Sequence, residues 1–321
     1  MLSAPSLNNQ YESLENTRPP ELPAAEMLRF VGQGERDVYN ITAPFEFDGL
    51  RLIAGRDETR QWPLKSRIGF YAEQDEVWHK VSQLEHPEHE LEDPFITHID
   101  NRLILGAVRV DWSSQPLEFK TVFYDVESLD SFRPIAEGPM GMKDIRLKQL
   151  GGGEILVMTR PDRSIPSRID RQIGFFKISQ LDELTPEKIE QEAYVLNGMF
   201  AEGEWGGANE IHTINEEWVG VLAHKARWDD FNNLYYTASV FELNHVTGEF
   251  TPMRELFGRN DLPEGPTKTD YHRNVVFSGG LVHHGNGSTA WYGGCSDASA
   301  GVKTIEYPFR SPRDAFYPTA A

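Results

Sequence analysis

The feature that most constrains the fold is a strand–turn–strand unit that occurs five times along the chain. Its copies begin near residues 44, 94, 144, 209 and 274, as in PFEFDGLRLIAGRDETR and PFITHIDNRLILGAVRV. Each copy is followed by two further short runs rich in β-branched and aromatic residues, which makes four strands per repeat. The copies are spaced by roughly 50 to 70 residues, at or above the period of four-stranded propeller blades. The sequence therefore predicts an all-β fold, a five-bladed β-propeller.

The domain organisation follows from these repeats. Residues 27–321 are predicted to form a single propeller domain, preceded by an irregular arm of residues 1–26 that is rich in Pro, Asn, Ser and Glu. Helical periodicity is rare, and the best helical candidate is DELTPEKIEQEAYVL, which contains Pro186. A β-sandwich is the alternative fold, since sandwiches also contain many short strands. The polar residues that end the second strand of each repeat favour the propeller.

The charge and the cysteine content limit the possible partners. The chain of 321 residues has a formal net charge of −19, which argues against nucleic acid or an anionic membrane surface as a partner. Its one cysteine, Cys295, allows no internal disulfide, as expected in a reducing compartment. No signal segment is recognisable, and no apolar run approaches the roughly 20 residues of a membrane helix. We therefore expect a soluble, cytoplasmic protein that binds neither nucleic acid nor membranes.

Charged residues end the second strand of the five repeats and predict a binding site. Equivalent positions of propeller blades converge on the axis, so these side chains are expected to surround one funnel. They are Arg56, Arg109, Arg160, His224 and Asp297. Guanidinium groups bind phosphate through paired hydrogen bonds, and Arg171 is a further candidate for such an anion pocket. The alternative for these arginines is pairing with nearby carboxylates such as Asp57 and Glu58.

An acidic pair opens the second repeat in the segment EDPFITHIDNRL. Asp93 is the leading candidate for a general acid, which must lie near the departing oxygen and stay protonated. Glu92 would raise the pKa of Asp93 if both face the funnel. The alternative is a solvated entry to the strand, because acidic residues are mostly exposed.

Further candidates lie in the later repeats. Asp297, in the glycine-rich segment WYGGCSDASAG, suits hydrogen bonds to sugar hydroxyls, and Tyr236 offers an aromatic face. The chain has no CxxC or HExxH metal motif, no P-loop and no dinucleotide-binding fingerprint. We therefore predict a carbohydrate or phosphate site that uses neither a metal nor a cofactor.

Several segments resemble a known family in their order along the chain. EDPFITHIDNRL resembles the Glu-Asp-Pro-Arg-Ile motif of glycoside hydrolase family 130, and MTRP resembles its His-Arg-Pro segment. EIHTINEEWVGVLAH and RNVVFSGGL…WYGGCSDASAG resemble its fourth and closing blades, so the resemblance covers about residues 38 to 305. A closer resemblance is to a divergent group, the mannosyltransferase/phosphorylases of glycosyltransferase family 108, which act on a β-1,2-mannan reserve carbohydrate. Both families are five-bladed propellers.

The resemblance implies roles for individual residues. It implies that Asp93 is the catalytic acid and that Asp297 binds mannose, with Arg56 near the sugar. Phosphate-binding roles are implied for Arg160, Arg171, His224 and Lys225. Asn40, Asp144 and Tyr236 are predicted to contact substrate. The sequence departs from family 130 at Phe95, where the family has arginine, so another residue would have to supply that function.

The predicted function is that of an inverting β-mannoside phosphorylase or mannosyltransferase. It would transfer mannose reversibly between β-1,2-linked oligosaccharides and phosphate, with mannose 1-phosphate or GDP-mannose as the donor in synthesis. One alternative is an inverting hydrolase on the same fold, which would need Glu204, Glu210 or Asp144 as a second carboxylate. Another is a propeller that binds carbohydrate without catalysis. A furanosidase is disfavoured, because such enzymes need an aspartate where the first blade has Asn40.

Overall fold

A computed structural model describes residues 22–61, 64–85, 90–128, 130–160 and 172–310 of the chain. The described residues form five sheets, each with four or more strands, and the sheets follow one another around a central axis. The prediction of a five-bladed β-propeller is therefore confirmed. Among the described residues, no helix has the length and apolar character needed to span a membrane.

The first blades contain the N-terminal part of the described chain. Two short strands precede them, β1 (Glu26–Met27) and β2 (Phe30–Val31). Blade 1 contains β3 (Arg36–Tyr39), β4 (Phe45–Phe47), β5 (Leu50–Thr59), β6 (Ser66–Gln74) and β7 (Val77–Glu85). Blade 2 contains β8 (Leu91–Ile99), β9 (Arg102–Asp111), β10 (Glu118–Ser128) and β11 (Ser131–Glu137).

The remaining three blades repeat the antiparallel order. Blade 3 contains β12 (Arg146–Gln149), β13 (Ile155–Thr159), β14 (Gly174–Ile178) and β15 (Tyr194–Val195). Blade 4 contains β16 (Glu204–Thr213), β17 (Trp218–Trp228), β18 (Leu234–Asn244) and β19 (Arg254–Phe257). Blade 5 contains β20 (Val276–His283), β21 (Ser288–Cys295) and β22 (Ser299–Glu306), with β1 as its outer strand.

The N-terminal strands close the ring. β1 pairs with β22 of blade 5, and β2 pairs in parallel with β7 of blade 1. The segment 26–31 thus extends the outer edges of the first and last blades and links them together. The predicted irregular arm, residues 1–26, lies outside the described residues up to residue 21, and Glu26 already pairs with Val302.

The hydrophobic core consists of five clusters, one between each pair of neighbouring blades. The cluster between blades 1 and 2 includes Leu52, Phe70 and Leu105, and the cluster between blades 4 and 5 includes Val240 and Trp291. The other three clusters fill the remaining gaps in the same way. Both faces of a blade are therefore covered by its neighbours, which explains the continuous apolar runs in many strands.

The helical candidate in the sequence forms one short helix, α1 (Pro186–Glu192). The side chain of Thr185 accepts a hydrogen bond from the Lys188 amide, and Pro186 occupies the first helical position. Both residues favour the start of a helix. Three single 3₁₀ turns complete the regular structure described, at Leu181–Glu183, Arg259–Asp261 and Asp270–His272.

The innermost strand of each blade is irregular at the same level, and this irregularity positions the functional side chains. The strand register shifts at Asp93 in blade 2, at Asn209 in blade 4 and at Gly279 in blade 5. In blade 1, Asn40 directly follows β3, in the gap before β4. In blade 3, Asp144 lies just before β12. A bulge adds one unpaired residue and redirects its side chain.

Three of these residues have a left-handed backbone, with φ of 45° at Asn40, 49° at Asp93 and 59° at Asp144. Asparagine and aspartate tolerate this conformation better than other residues that carry a side chain. Their short polar side chains are therefore compatible with the bulge and are directed by it.

Asp57 in β5 holds the centre of a buried ion cluster in blade 1. Its carboxylate is fully buried and contacts Arg36, the Lys80 ammonium at 2.9 Å and the Tyr71 hydroxyl at 3.0 Å. Burial alone would raise its pKa, but Lys80 and Arg36 outweigh burial and lower it. We expect Asp57→Asn to reduce the free energy of unfolding by about 3–5 kcal/mol, because the cations keep their burial and lose their partner. Chemical denaturation at neutral pH measures this loss.

The control for Asp57 is Asp37→Asn on the neighbouring strand. Asp37 pairs with Arg60, whose side chain is 64% exposed, so its loss is expected to cost no more than about 1 kcal/mol. Because the pKa of Asp57 is lowered on folding, its contribution is present above the ordinary pKa of aspartate and is lost as the pH falls through the lowered value. Equal effects of the two substitutions at neutral pH would contradict the assignment.

Candidate active site

A cavity of about 210 Å³ lies on the axis, at the level of the bulges. All five blades or the segments between them contribute to its wall. Its lining residues are Asn40, Arg56, Glu92, Asp93, Lys143, Asp144, Arg160, His224, Leu234, Tyr236, His272, Val275, Phe277 and Asp297. The volume is below the 300–1,000 Å³ typical of sites for drug-sized ligands, so the cavity suits a small polar molecule.

Most of the predicted site residues meet in this cavity. Those in its wall are Asn40, Arg56, Asp93, Asp144, Arg160, His224, Tyr236 and Asp297. Arg171 lies outside the described residues. Lys225 lies elsewhere: its ammonium contacts Glu255 at 2.6 Å and Glu204 at 3.1 Å. It follows His224 in β17, and neighbouring residues of a strand point to opposite faces.

Arg109 also differs from the expected ring. It pairs in register with Leu91, one residue before Glu92, so its side chain leaves the sheet on the face opposite to that of Glu92. Its guanidinium donates to the Tyr124 hydroxyl at 3.0 Å and lies 3.8 Å from Glu137. The expectation that all five charged strand ends converge was therefore wrong for Arg109.

Asp93 is held by two neighbours in the cavity wall. The Asn40 amide donates to Oδ1 of Asp93 at 2.8 Å, and the guanidinium of Arg56 lies 3.6 Å from the same oxygen. Both contacts come from blade 1, whereas Asp93 belongs to blade 2. The bulge, rather than solvent, determines where this carboxyl points.

Arg56 connects Asp93 to a second layer of charges. Its guanidinium contacts Glu58 and lies 2.7 Å from Oε1 of Glu92. Glu58 in turn accepts from the Tyr39 hydroxyl and contacts Lys268, both at 2.6 Å. Arg56 thus lines the cavity and also pairs with nearby carboxylates. Both alternatives that the sequence left open for the arginines therefore apply to Arg56.

This acidic side of the cavity holds more carboxylates than cations. Four carboxylates surround two cations: Glu58, Glu92, Asp93 and Asp297 around Arg56 and Lys268. Burial, together with the charges of Asp93 and Glu58, raises the pKa of Glu92 to about 7 although Arg56 opposes the shift. Burial also raises the pKa of Asp297, with His272 and Arg56 opposing. The raised pKa of Glu92 favours its protonated form up to about neutral pH.

The opposite side of the cavity, formed by blades 3 and 4, is basic. Arg160 lies 3.0 Å from Asp144, and Arg146 lies 3.7 Å from the same carboxylate. Burial opposes ionisation of Asp144, but the guanidinium charges of Arg160 and Arg146 outweigh it and lower its pKa to about 2. Lys143 adds a further cation to the wall. One ionised carboxylate thus faces three cationic side chains on this side.

His224 contributes a hydrogen-bonding group rather than a charge. Burial, reinforced by Arg160 and Arg146, lowers its pKa to about 3, although Asp144 opposes the shift. Its Nδ1 lies 2.9 Å from Oδ1 of Asn209, and its ring stacks on Tyr236 at 5.1 Å. The imidazole is therefore neutral at neutral pH and fixed in orientation.

Two glycines make room for the polar side chains. A Cβ on Gly294 would lie 2.1 Å from Oδ1 of Asn40, and one on Gly207 would lie 2.7 Å from Oδ2 of Asp144. Gly294 belongs to the segment WYGGC, whose glycines were expected to permit close approach to a ligand. The group that approaches Gly294 in the structure is the Asn40 side chain, itself part of the wall.

Phe95 takes a core position where the related motif has arginine. It is buried against Phe123, with ring centroids 5.9 Å apart, and the guanidinium of Arg146 lies 4.1 Å from its centroid. Arg146 donates to the Asn209 carbonyl at 2.9 Å and does not line the cavity. The cation that the sequence analysis missed in the cavity wall is Lys143, one residue before Asp144.

Sequence reasoning also missed His272, and it assigned Glu92 only a supporting role. His272 lies 3.7 Å from Asp297 and comes from the loop before blade 5, where no strand pattern marks it.

Two of the carboxylates considered as the second catalytic group of a hydrolase lie outside the cavity wall. Glu204 pairs with Lys225, and Glu210 contacts His212 at 2.7 Å.

The pH dependence of stability tests the environment of Glu92. Its pKa of about 7 exceeds the ordinary value of 4.5, so the group stabilises the fold fully below pH 4.5, and this contribution is lost as the pH rises through 7. Relative to Glu92→Gln, the wild type is expected to lose about 3 kcal/mol between pH 4.5 and pH 8.5. Denaturation curves of the two proteins across this range measure the difference. Parallel pH dependences would contradict the shift.

Comparisons with known proteins agree with this geometry. The family profile described as "Protein of unknown function (DUF1861)" matches residues 15–311. The chain belongs to this family. No curated protein matches the sequence.

Solved structures extend the comparison. A mannose phosphorylase from Leishmania mexicana, solved with a phosphate ion, is 28% identical with a TM-score of 0.81, covering 94% of this chain and 92% of that one. A GDP-Man-dependent mannosyltransferase from the same organism is 26% identical with a TM-score of 0.79, covering 95% of both chains. A β-1,2-mannobiose phosphorylase from Listeria innocua shares the fold at 14% identity, with a TM-score of 0.62 and coverage of 91% and 93%.

These similarities confirm the predicted resemblance to mannosyltransferase/phosphorylases. With the Listeria innocua phosphorylase the chain shares the fold. The prediction that the chain is an enzyme agrees with the neighbours, which are a phosphorylase and a transferase. The roles of individual residues remain predictions.

Proposed function

We propose that this protein is an inverting β-mannoside phosphorylase that acts on β-1,2-linked mannose oligosaccharides. It transfers the terminal mannose to inorganic phosphate and forms mannose 1-phosphate, and it runs in reverse when mannose 1-phosphate is abundant. The observation that carries this proposal is the division of one small cavity into an acidic side, with Glu92, Asp93 and Asp297, and a cationic side, with Lys143 and Arg160. The named activities of the similar Leishmania enzymes support the same substrate class.

The acidic side binds the mannosyl unit and supplies the proton. Asp93 transfers a proton to the departing glycosidic oxygen, directly or through the 3-hydroxyl of the sugar, as the resemblance to family 130 implies. The Asn40 amide fixes the carboxyl for this step at 2.8 Å. Asp297, on the same side, accepts hydrogen bonds from mannose hydroxyls. The leaving sugar departs as an alcohol, and Asp93 is left as a carboxylate.

The cationic side binds phosphate and directs its attack. Arg160 and Lys143 offset the phosphate charge. Neutral His224 donates through Nδ1 to Asn209, so its Nε2 can accept from a hydroxyl of the phosphate. One phosphate oxygen attacks the anomeric carbon from the face opposite the leaving group, so the configuration inverts. Phosphate is already a nucleophile, and this mechanism therefore needs one catalytic carboxyl, whereas an inverting hydrolase needs a second carboxylate to activate water.

The donor in synthesis is mannose 1-phosphate in this proposal, because the cavity is small and its cations lie inside it. GDP-mannose is a second donor to test, since a similar enzyme is GDP-Man-dependent. A cytoplasmic location stays a prediction from the composition of the chain.

The deciding experiment is incubation with β-1,2-mannobiose, with and without inorganic phosphate, followed by chromatography of the products. Mannose 1-phosphate that forms only with phosphate is the expected result. Free mannose formed at equal rates in both samples would instead identify a hydrolase. Absence of any product would contradict the proposal and would favour the alternative of a propeller that binds carbohydrate without catalysis.

A further inference from the structure

Two exposed aromatic side chains stand together at the mouth of the cavity, outside the site described above. Trp228 is 48% exposed and Tyr271 is 44% exposed, and their ring centroids lie 6.1 Å apart at 41°. Aromatic side chains of this size are usually buried, and an exposed pair marks a surface used for binding.

Each of the two aromatic residues neighbours a residue that lines the cavity. Trp228 is the cross-strand partner of Leu234, which lines the cavity, and Tyr271 stacks at 4.1 Å on His272, which also lines it. The two supporting segments are joined where the Tyr236 amide donates to the Asn274 carbonyl at 3.2 Å. The aromatic pair is therefore a fixed extension of the cavity.

The size of the cavity determines what must lie over this pair. About 210 Å³ accommodates one mannosyl unit and phosphate, so the other units of an oligosaccharide have to leave through the mouth. Asp229, Asp230 and Asp270 flank the pair in the sequence, together with Arg227 and Arg273, and Arg273 lies 3.5 Å from Asp270. A surface of apolar rings beside polar groups of both charges suits a neutral, hydroxyl-rich chain.

We propose that Trp228 and Tyr271 form an outer binding site for the chain of a β-mannoside oligosaccharide, beyond the unit that reacts. This inference rests on the proposed function for the identity of the sugar. The rings bind the apolar faces of the third and later sugar units, and the neighbouring carboxylates accept from their hydroxyls. The enzyme consequently favours oligosaccharides over the disaccharide.

Binding without turnover tests the inference separately from catalysis. Calorimetry with β-1,2-mannobiose and β-1,2-mannotetraose, in buffer free of phosphate, compares wild type with Trp228→Ala and Tyr271→Ala. We expect each substitution to weaken tetraose binding by roughly 5- to 10-fold and to leave mannobiose binding unchanged. Phe231→Ala is the matched control, because Phe231 is 85% exposed in the same hairpin and makes no ring contact with Tyr271 in the described structure.

The outcomes separate the two proposals. Tetraose binding that depends on Trp228, without mannose 1-phosphate on addition of phosphate, would support the outer site and contradict the proposed function. Mannose 1-phosphate with equal tetraose affinity in all variants would support the function and overturn the outer site. Loss of GDP binding in Trp228→Ala, with tetraose binding intact, would assign the rings to a nucleotide base. Lack of tetraose binding to wild type would also overturn the outer site.

Discussion

Asp93→Asn is expected to lower the rate of mannose 1-phosphate formation from β-1,2-mannobiose by about 10²- to 10⁴-fold, the usual contribution of a general acid. The amide cannot protonate the leaving oxygen, whereas the shape of the side chain is preserved. Asparagine tolerates the left-handed backbone at this position, where φ is 49°, and its Oδ1 can still accept from Asn40 at 2.8 Å. The loss is therefore expected in kcat, with the fold intact.

The control is Asp100→Asn, in the turn of the same β8–β9 hairpin. Asp100 is exposed and contacts Gln149 at the far end of the hairpin, so its replacement is expected to leave the rate unchanged. Circular dichroism and thermal unfolding establish that both variants are folded. An Asp93→Asn protein with near-wild-type activity would transfer the acid role to another group, with Glu92 first because of its raised pKa.

Arg160→Ala is expected to raise the KM for phosphate by about 10- to 150-fold, which corresponds to the 1.5–3 kcal/mol of a hydrogen bond to a charged group. Arg160 is buried and lies on the same side of the cavity as Lys143 and His224, so its loss removes a main counter-charge of the anion. Steady-state kinetics with varied phosphate, at saturating mannobiose, measures the effect. The KM for mannobiose is expected to change far less.

Two further variants make this result interpretable. Arg160→Lys keeps a positive charge beside buried Asp144 but loses the planar guanidinium, so a smaller rise in the KM for phosphate is expected with a stable fold. Arg109→Ala is the matched control, since Arg109 ends the corresponding strand in the sequence but contacts Tyr124 and Glu137 away from the cavity. If Arg109→Ala weakened phosphate binding as much as Arg160→Ala, the assigned anion side would be wrong.

The four-stranded repeat was readable from the sequence because each blade needs the same local pattern. Short strands ended by Gly, Asp, Asn or Pro recur in every blade, and the apolar runs correspond to faces covered on both sides by neighbouring blades. The start of α1 was marked by Thr185 and Pro186, whose preferences are local. Such features depend on a few consecutive residues.

The candidate acid was also detectable from local sequence. The Glu-Asp-Pro segment interrupts a strand with an unusual acidic pair, and the resemblance singled out Asp93 and Asp297. Their meeting in one cavity follows from the propeller, because the axis collects equivalent ends of different blades. The sequence did not reveal the raised pKa of Glu92. That property depends on burial and on Glu58 and Arg56 from blade 1.

The amino-acid sequence specifies the blade repeat, the overall charge and the types of residue available to the site. Which of these residues face the cavity depends on how the chain folds. Arg109 shows the reason, because it pairs with Leu91 and its side chain therefore leaves the sheet on the face opposite to that of Glu92, a register that no periodicity in the sequence marks. Lys268, 229 residues from the Tyr39 hydroxyl that it contacts, shows the other reason. Closure of the ring places it there, and only the folded chain brings such distant charges together.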